Sequence, residues 1–312
     1  MVFLYCTFSI FMKPVYLQYY HNGILKERIQ ILKDKLKCCN LCPRNCQVDR
    51  LSGEIGTCKT GECAVVSSYM PHFGEESPLV GHHGSGTIFF THCNLLCSFC
   101  QNYDISHQGY GNKVTNRILA DMMLSLQALG CHNINFVTPS HVVPQILSAL
   151  LIAIEDGLNL PLVYNSSGYD SVDTLHMLDG IIDIYMPDFK FWDGEISKMT
   201  CNAPDYPEMA RNAIKEMHRQ VGDLVMDQNG ITIRGLLVRH LVMPENLTGT
   251  EQIMKFIADN ISINTYVNIM PQYRPCGKAY ETPLLNRPIT QDEFYAAISV
   301  ARKAGLKRFD KY

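Results

Sequence analysis

Short apolar runs alternate with amphipathic stretches along most of this 312-residue chain. Runs rich in β-branched and aromatic residues lie at 87–91, 134–138, 162–165, 181–186, 235–242 and 265–270, each bounded by turn-forming residues, and predict six buried strands. Between them, apolar positions recur at helical spacing over 116–129, 142–155, 172–178, 207–220 and 250–260. A last helix is predicted over 290–304, opened by the capping-box pattern Thr290-Gln-Asp-Glu293. Near the N-terminus, Ile24, Leu25, Ile29, Ile31, Leu32 and Leu36 mark one face of a helix over 23–37. Repeated β-then-α units predict parallel strands joined by right-handed crossovers, and six strands are too few for an eight-stranded barrel. The segment 38–63 breaks this rhythm. It has Pro and Gly punctuation, little periodicity and many cysteines, and predicts a compact irregular loop held by those cysteines.

The length suits one large α/β domain with a small extension, or two domains. The charge adds an exclusion. With a formal net charge of −3 and no block of Lys and Arg, binding to nucleic acid or to an anionic membrane has no electrostatic support. The apolar stretch 1–11 lacks a preceding basic residue and a small-residue cleavage site, and is too short to span a bilayer. A membrane anchor is the functional alternative for it.

Cysteine placement carries the chemistry. Thr91-His-Cys93-Asn-Leu-Leu-Cys97-Ser-Phe-Cys100 follows the strand expected at 87–91, so its three thiols leave a strand's C-terminal end in a loop, where α/β folds place their reactive groups. An iron–sulfur cluster normally takes four cysteines. Three leave one metal position open, which is the mark of a reactive site. Scattered structural thiols and a zinc site are the other readings. A second group, Cys39, Cys42, Cys46 and Cys58, has four potential ligands for an auxiliary cluster or a zinc ion, with Cys38 as a substitute; free thiols are the alternative. Cys6, Cys63, Cys131, Cys201 and Cys276 read as small apolar packing residues. Ligand spacings of this kind belong to a reducing, cytoplasmic compartment and not to a secreted disulfide framework.

Two polar features end apolar strands. Asp188 and Lys190, in Tyr-Met-Pro-Asp-Phe-Lys, are two apart and share a strand face, so they can pair in a pocket; a solvated surface pair is the alternative. Arg239 interrupts Leu-Leu-Val-Arg-His-Leu-Val, where a charge is costly unless paired, so a structural salt bridge is one reading of it.

The spacing Cys93-x3-Cys97-x2-Cys100, with Phe99 before the last cysteine, resembles the signature of the radical S-adenosylmethionine enzymes. The longer string through Ser106, and upstream Cys39-Asn-Leu-Cys42-Pro-Arg-Asn-Cys46 to Cys58, is similar to the subgroup related to pyruvate formate-lyase-activating enzymes. The resemblance covers roughly residues 14–312. It implies a partial (β/α)6 TIM-like barrel (81–312) behind an N-terminal helix and Cys-rich extension (12–80). It also implies a start at Met12, with residues 1–11 an artefact or disordered.

The same resemblance implies that Cys93, Cys97 and Cys100 bind a 4Fe–4S cluster whose fourth iron takes S-adenosylmethionine, that one electron cleaves this cofactor, and that a 5′-deoxyadenosyl radical abstracts hydrogen from substrate. Phe99 is then expected beside the adenine, Arg239 at the cofactor's carboxylate, Asn165 and Ser167 at its ribose or amino-acid part, and Asp188 and Lys190 near cofactor or substrate. Gln272 and Tyr273 are expected to face the radical. An external flavodoxin- or ferredoxin-like electron donor is implied, and a protein glycyl residue is one candidate substrate. One departure counts against that substrate: where glycyl-radical activators carry Gly-Gly-Glu, this chain reads Val137-Thr-Pro-Ser-His141, without the carboxylate. The expected function is an oxidoreductase of this class. A non-catalytic iron–sulfur electron carrier and a zinc-stapled scaffold are the readings from other classes.

Overall fold

The structure is a computed structural model and describes residues 13–311. Residues 1–11, Met12 and Cys6, about which expectations were stated above, lie outside the described residues. In chain order the strands are β1 (Ala64–His72), β2 (Ser85–Phe90), β3 (Asn112–Val114), β4 (Ile134–Val137), β5 (Leu162–Ser166), β6 (Ile184–Pro187), β7 (Val225–Met226), β8 (Thr232–Leu241), β9 (Tyr266–Met270) and β10 (Arg308–Phe309). They form one mixed sheet in the order β10-β9-β8-β6-β5-β4-β2-β1-β3, with β7 antiparallel against β8. From β2 to β10 the neighbours run parallel. β1 lies antiparallel on β2, and β3 antiparallel on β1. The two ends of the sheet do not pair, so the arrangement is an unclosed, barrel-like α/β sheet flanked by helices.

All six expected strands are present and adjacent in chain order. β5 and β6 are buried at every position, as parallel strands covered on both faces are. The sheet also has members the apolar pattern does not mark. β1 carries Ser67, Ser68, Pro71 and His72 within a sequence of mixed polarity, and β10 is two residues long.

The helices follow their sequence signals closely. Asn116–Ala128 is capped by the Thr115 side chain accepting from the Ile118 N–H, and Gln291–Lys303 opens with the complete Thr290–Glu293 capping box. Val143–Glu155 is apolar nearly all round because other helices, Asn116–Ala128, Ile24–Asp34 and Tyr16–His21, pack against it. Tyr16–His21 and Gly194–Cys201 are helices the pattern does not reveal; the second is capped by Asp193. Between Cys38 and Ala64 there is no helix or strand. Among the described residues, no helix is long and apolar enough to cross a membrane.

Candidate active site

β2 ends at Phe90, and the chain turns through His92 (φ +65°) into the loop that carries Cys93, Cys97 and Cys100. The loop is tied down at both flanks. Ser98 N–H donates to Thr200 O and Lys278 N–H donates to Ser98 O, both at 2.8 Å, and Gln101 Nε2 donates to Gln272 O at 3.0 Å. All three thiols line one cavity of about 380 Å³ at the C-terminal ends of the parallel strands. Leu95 N–H points at Cys93 Sγ (3.4 Å) and Ser106 Oγ–H at Cys100 Sγ (3.2 Å).

Burial pushes the Cys93 thiol up to about 12 and raises Cys100. Cys97 is raised by its hydrogen bond with Cys201 and by burial. Without a cation these thiols hold their protons, and a bound metal reverses that order.

Among the described residues, no three His, Cys, Asp or Glu side chains converge on a single-ion site. A cluster asks for something different, because each thiolate binds its own iron and the sulfurs stand further apart. Cys201 lies against Cys97 but off the cavity wall. Among the described residues, the donor set facing the cavity is therefore three soft thiols and no fourth, which fits a four-iron cluster with one open iron.

The same cavity is lined by a chain of polar side chains set across the strand ends. Asp188 follows β6 and pairs backbone-to-backbone with Arg239 of β8. Its Oδ2 accepts from Lys190 Nζ at 2.5 Å and its Oδ1 from Arg239 Nε at 2.8 Å. Arg239 Nη2 donates to Asn165 Oδ1 (2.8 Å), Asn165 Nδ2 donates to Glu75 Oε2 (3.4 Å), and His72 Nδ1–H donates to Glu75 Oε1 (2.8 Å). Burial opposes the charge on Asp188, but the adjacent Arg239 and Lys190 outweigh it and hold the carboxyl below its ordinary range. Burial likewise works against Lys190 and Arg239; Asp188, joined by Cys97 at Lys190 and by Glu76 and Glu75 at Arg239, more than offsets it, so both stay cationic. Glu76 is raised by burial despite Arg239 Nη1 at 3.8 Å, and its Oε2 has no partner. Ser167 Oγ also faces this region buried and unpartnered. An orphaned hydroxyl beside an open cavity fits a site that a polar ligand completes.

The structure thus brings together Phe99, Asn165, Ser167, Asp188, Lys190, Arg239 and Gln272 on the walls of the cavity that the three cysteines line. Phe99 is 4% exposed and packs edge-on against Phe191, with ring centroids 5.9 Å apart. Tyr273 departs from expectation. It is 3% exposed and turned into the core, where its hydroxyl donates to Leu285 O at 2.7 Å. Cys131 and Cys201 are buried as small packing residues, but Cys63 is exposed and Cys276 half-buried, because both sit in loops.

Three contributors have no signal in the sequence pattern. Glu75 lies in a turn whose side chain is only 7% exposed. Cys201 ends a helix that the pattern does not predict. Tyr206 is fully buried; its hydroxyl accepts from Lys190 N–H (2.9 Å) and reaches Ser167 O (3.0 Å) and Asp188 O (3.1 Å), clamping the ends of β5 and β6 together. Gly168 permits that approach. Its φ is +76°, and a Cβ there would run into the Asp188 carbonyl oxygen.

The chain is 34% identical over 297 residues to MJ0674 of Methanocaldococcus jannaschii, a protein described as uncharacterized; the match spans 93% of this chain and 82% of that one. The chain belongs to the family of that archaeal protein. No known protein-family profile matches the sequence. Several solved structures are similar in part. A radical SAM methyltransferase from Sphaerobacter thermophilus overlaps 73% of this chain and 67% of its own, at 13% identity and a TM-score of 0.49. The radical S-adenosylmethionine methyltransferase TsrM from Kitasatospora setae overlaps 62% and 37%, at 15% identity and 0.43. QueE from Escherichia coli overlaps 80% and 93%, at 9% identity and 0.40. Identities this low speak to the fold alone, and TM-scores below one half are too small to carry weight even there.

Proposed function

We propose that this protein is a radical S-adenosylmethionine enzyme of the oxidoreductase type, similar to the activating enzymes of glycyl-radical systems. The observation that supports this reading is a single one: three thiols from the C-x3-C-x2-C loop and the Asp188–Lys190–Arg239 network line the same cavity. Cys93, Cys97 and Cys100 would hold a 4Fe–4S cluster. When bound, cluster and cofactor supply one-electron cleavage of S-adenosylmethionine and abstraction of a hydrogen atom from substrate.

The remaining roles belong to this chain's own side chains. Arg239, Asn165 and Ser167 receive the amino-acid and ribose parts of the cofactor. A planar, multiply donating guanidinium suits a carboxylate there. Glu75 supplies, from the turn after β1, the carboxylate that the 137–141 segment lacks, and suits an ammonium group. Asp188 and Lys190 hold Arg239 in place and border the substrate. Phe99 covers the adenine side and excludes water. The electron comes from an external flavodoxin- or ferredoxin-like donor, and the compartment is the reducing cytoplasm, where such thiols persist. A glycyl residue of a partner protein is the first substrate class to try.

The deciding experiment is anaerobic reconstitution with iron and sulfide, titration with S-adenosylmethionine, and measurement of 5′-deoxyadenosine after dithionite. The cofactor is expected to perturb the cluster's spectrum, and 5′-deoxyadenosine to form. Cys97→Ala is expected to abolish both. A cluster whose spectrum ignores the cofactor would instead make the protein an electron carrier.

A further inference from the structure

The 39–63 segment has its own site. It contains no helix or strand, yet Cys39, Leu41, Cys42 and Cys58 are each at most 9% exposed. Cys39, Cys42, Cys46 and Cys58 line one small cavity, and Arg44 and Arg50 border it.

Arg50 is 1% exposed. Its guanidinium donates to Gly61 O (2.7 and 3.0 Å), to His141 O (2.9 Å) and to Cys39 Sγ (3.8 Å). Arg44 donates only to backbone carbonyls, those of Asn94 (2.8 Å), Leu95 (3.1 Å), Cys201 (2.8 Å) and Asn202, and stacks over the Tyr169 ring. Among the described residues, neither arginine has a carboxylate within ion-pair distance.

A buried guanidinium without a counter-charge is costly, and Arg50 is one; half-buried Arg44 borders the same four sulfurs. Neutral thiols do not offset them. Four thiolates around a dicationic centre do, because they leave two negative charges.

The backbone is arranged toward the same end. Thr57 N–H donates to Cys46 Sγ at 3.4 Å, and the N–H groups of Arg44 and Thr60 point at the Cys42 and Cys58 sulfurs. Gly56 lies so close that a Cβ there would meet Cys46 Sγ at 2.6 Å. Asn45, Gln47 and Lys59, each next to one of these cysteines, hold left-handed φ values of +43°, +56° and +53°. Non-glycine residues stay in such conformations only where their surroundings over-determine them.

We propose that Cys39, Cys42, Cys46 and Cys58 hold a second, structural metal centre with four thiolate ligands, either a zinc ion or an iron–sulfur cluster. Arg44 and Arg50 offset its charge, and it staples the 39–63 segment to the sheet. Through Arg44 it also steadies the Cys93–Cys100 loop, whose Asn94 and Leu95 carbonyls that arginine holds. The sulfurs do not already converge on a single ion. Zinc therefore requires them to move inward, while a cluster keeps them apart.

The test uses the full chain purified anaerobically, with Cys93, Cys97 and Cys100 all changed to Ala, so that the proposed cofactor cluster contributes nothing. This variant is expected to retain metal: about one zinc, or about four iron with four sulfide, per chain. The two readouts separate the two sources. Adding Cys42→Ala and Cys46→Ala is expected to remove it. Because that variant can fail to fold, the wild-type protein is also labelled with N-ethylmaleimide before and after chelator. Half-buried Cys46 is expected to react slowly until the metal is removed, whereas exposed Cys38 and Cys63 react throughout. Arg50→Lys, which keeps the charge, is expected to retain metal better than Arg50→Met, by about tenfold in affinity. The proposal is overturned if the triple variant takes up neither zinc nor ferrous iron with sulfide, or if Cys46 labels as fast as Cys276 without chelator. Neither result bears on whether the Cys93–Cys100 site cleaves S-adenosylmethionine.

Discussion

Asp188 and Arg239 meet twice: their backbones pair where β6 gives way beside β8, and the Asp188 Oδ1 accepts from Arg239 Nε at 2.8 Å. The same carboxylate takes Lys190 on its other oxygen, so one anion holds two cations together at the cavity wall. Asp188→Asn keeps the shape and removes the charge. Lys190 and Arg239 would then repel each other in a largely buried place. Loss of one partner in such a set costs about 3–5 kcal/mol, and urea unfolding is expected to register a loss of that order. The iron content of the reconstituted protein should stay unchanged, since none of the three is a thiol. A stability change below about 0.5 kcal/mol would mean that solvent, not Asp188, balances these cations.

Tyr206 acts on the same wall from behind. Its hydroxyl satisfies the Lys190 N–H and donates toward the Ser167 and Asp188 carbonyls. Tyr206→Phe leaves the ring's packing and strands a buried N–H, at a cost of about 1–3 kcal/mol. If the tyrosine positions the site, affinity for S-adenosylmethionine should also fall, by about tenfold, because small misplacements of aligned groups are expensive. Isothermal titration on the cluster-loaded variant checks this. A destabilised variant with unchanged affinity would reduce Tyr206 to a structural prop.

The parts of this protein that are legible in its sequence are those whose physics is local. Six strands stand out because short, wholly apolar runs such as Leu162–Val163–Tyr164 have a defined length and end at turn-forming residues. The Cys93–Cys97–Cys100 loop stands out because its three thiols lie within eight residues. What sequence hides is what only the sheet assembles. Glu75 reads as one charge in a polar turn, and becomes part of the cavity wall because β1 folds back antiparallel on β2. Tyr206 stands just before the helix expected over 207–220, and nothing in a helical period says where a hydroxyl reaches. Tyr273 follows β9 as a site residue would, but the next turn swings its ring inward. Arg44 and Arg50 read as ordinary basic residues of a loop; only the burial of Arg50 without a carboxylate, and the backbone carbonyls that hold Arg44, single them out.

Cys201 distinguishes an enzyme from an electron carrier. It touches Cys97 yet lies off the cavity wall. If it were the fourth ligand, the cluster would be closed and unable to receive a cofactor. Cys201→Ala is therefore expected to leave both the iron content and the response to S-adenosylmethionine as in the unaltered protein. If the cofactor perturbs the cluster only after this change, Cys201 is a ligand and the open-iron reading fails.

His240 gives the fold a defined sensitivity to acid. It is fully buried beside Arg239, on the face of β8 that points away from the cavity. Its Nδ1 lies 2.8 Å from the Phe189 carbonyl, which can only accept, so Nδ1 carries the proton. Nε2 must then accept, and Thr250 Oγ1 donates to it at 3.0 Å. A second proton would have to enter at Nε2 and break that bond. Burial pulls the imidazole from 6.5 down to about 4; the Phe189 carbonyl and Asp188 pull the other way, and Lys190 adds to the fall. The unfolded chain thus binds a proton below 6.5 that the folded one refuses until about 4. Stability from this group is complete above pH 6.5 and drains away as the pH falls through that window, by about 3 kcal/mol in all. Urea unfolding between pH 7.5 and pH 4 is expected to show that slope, and His240→Asn, which cannot titrate, to flatten it at the cost of lower stability at neutral pH. An unchanged slope in the variant would assign the acid sensitivity to other buried groups.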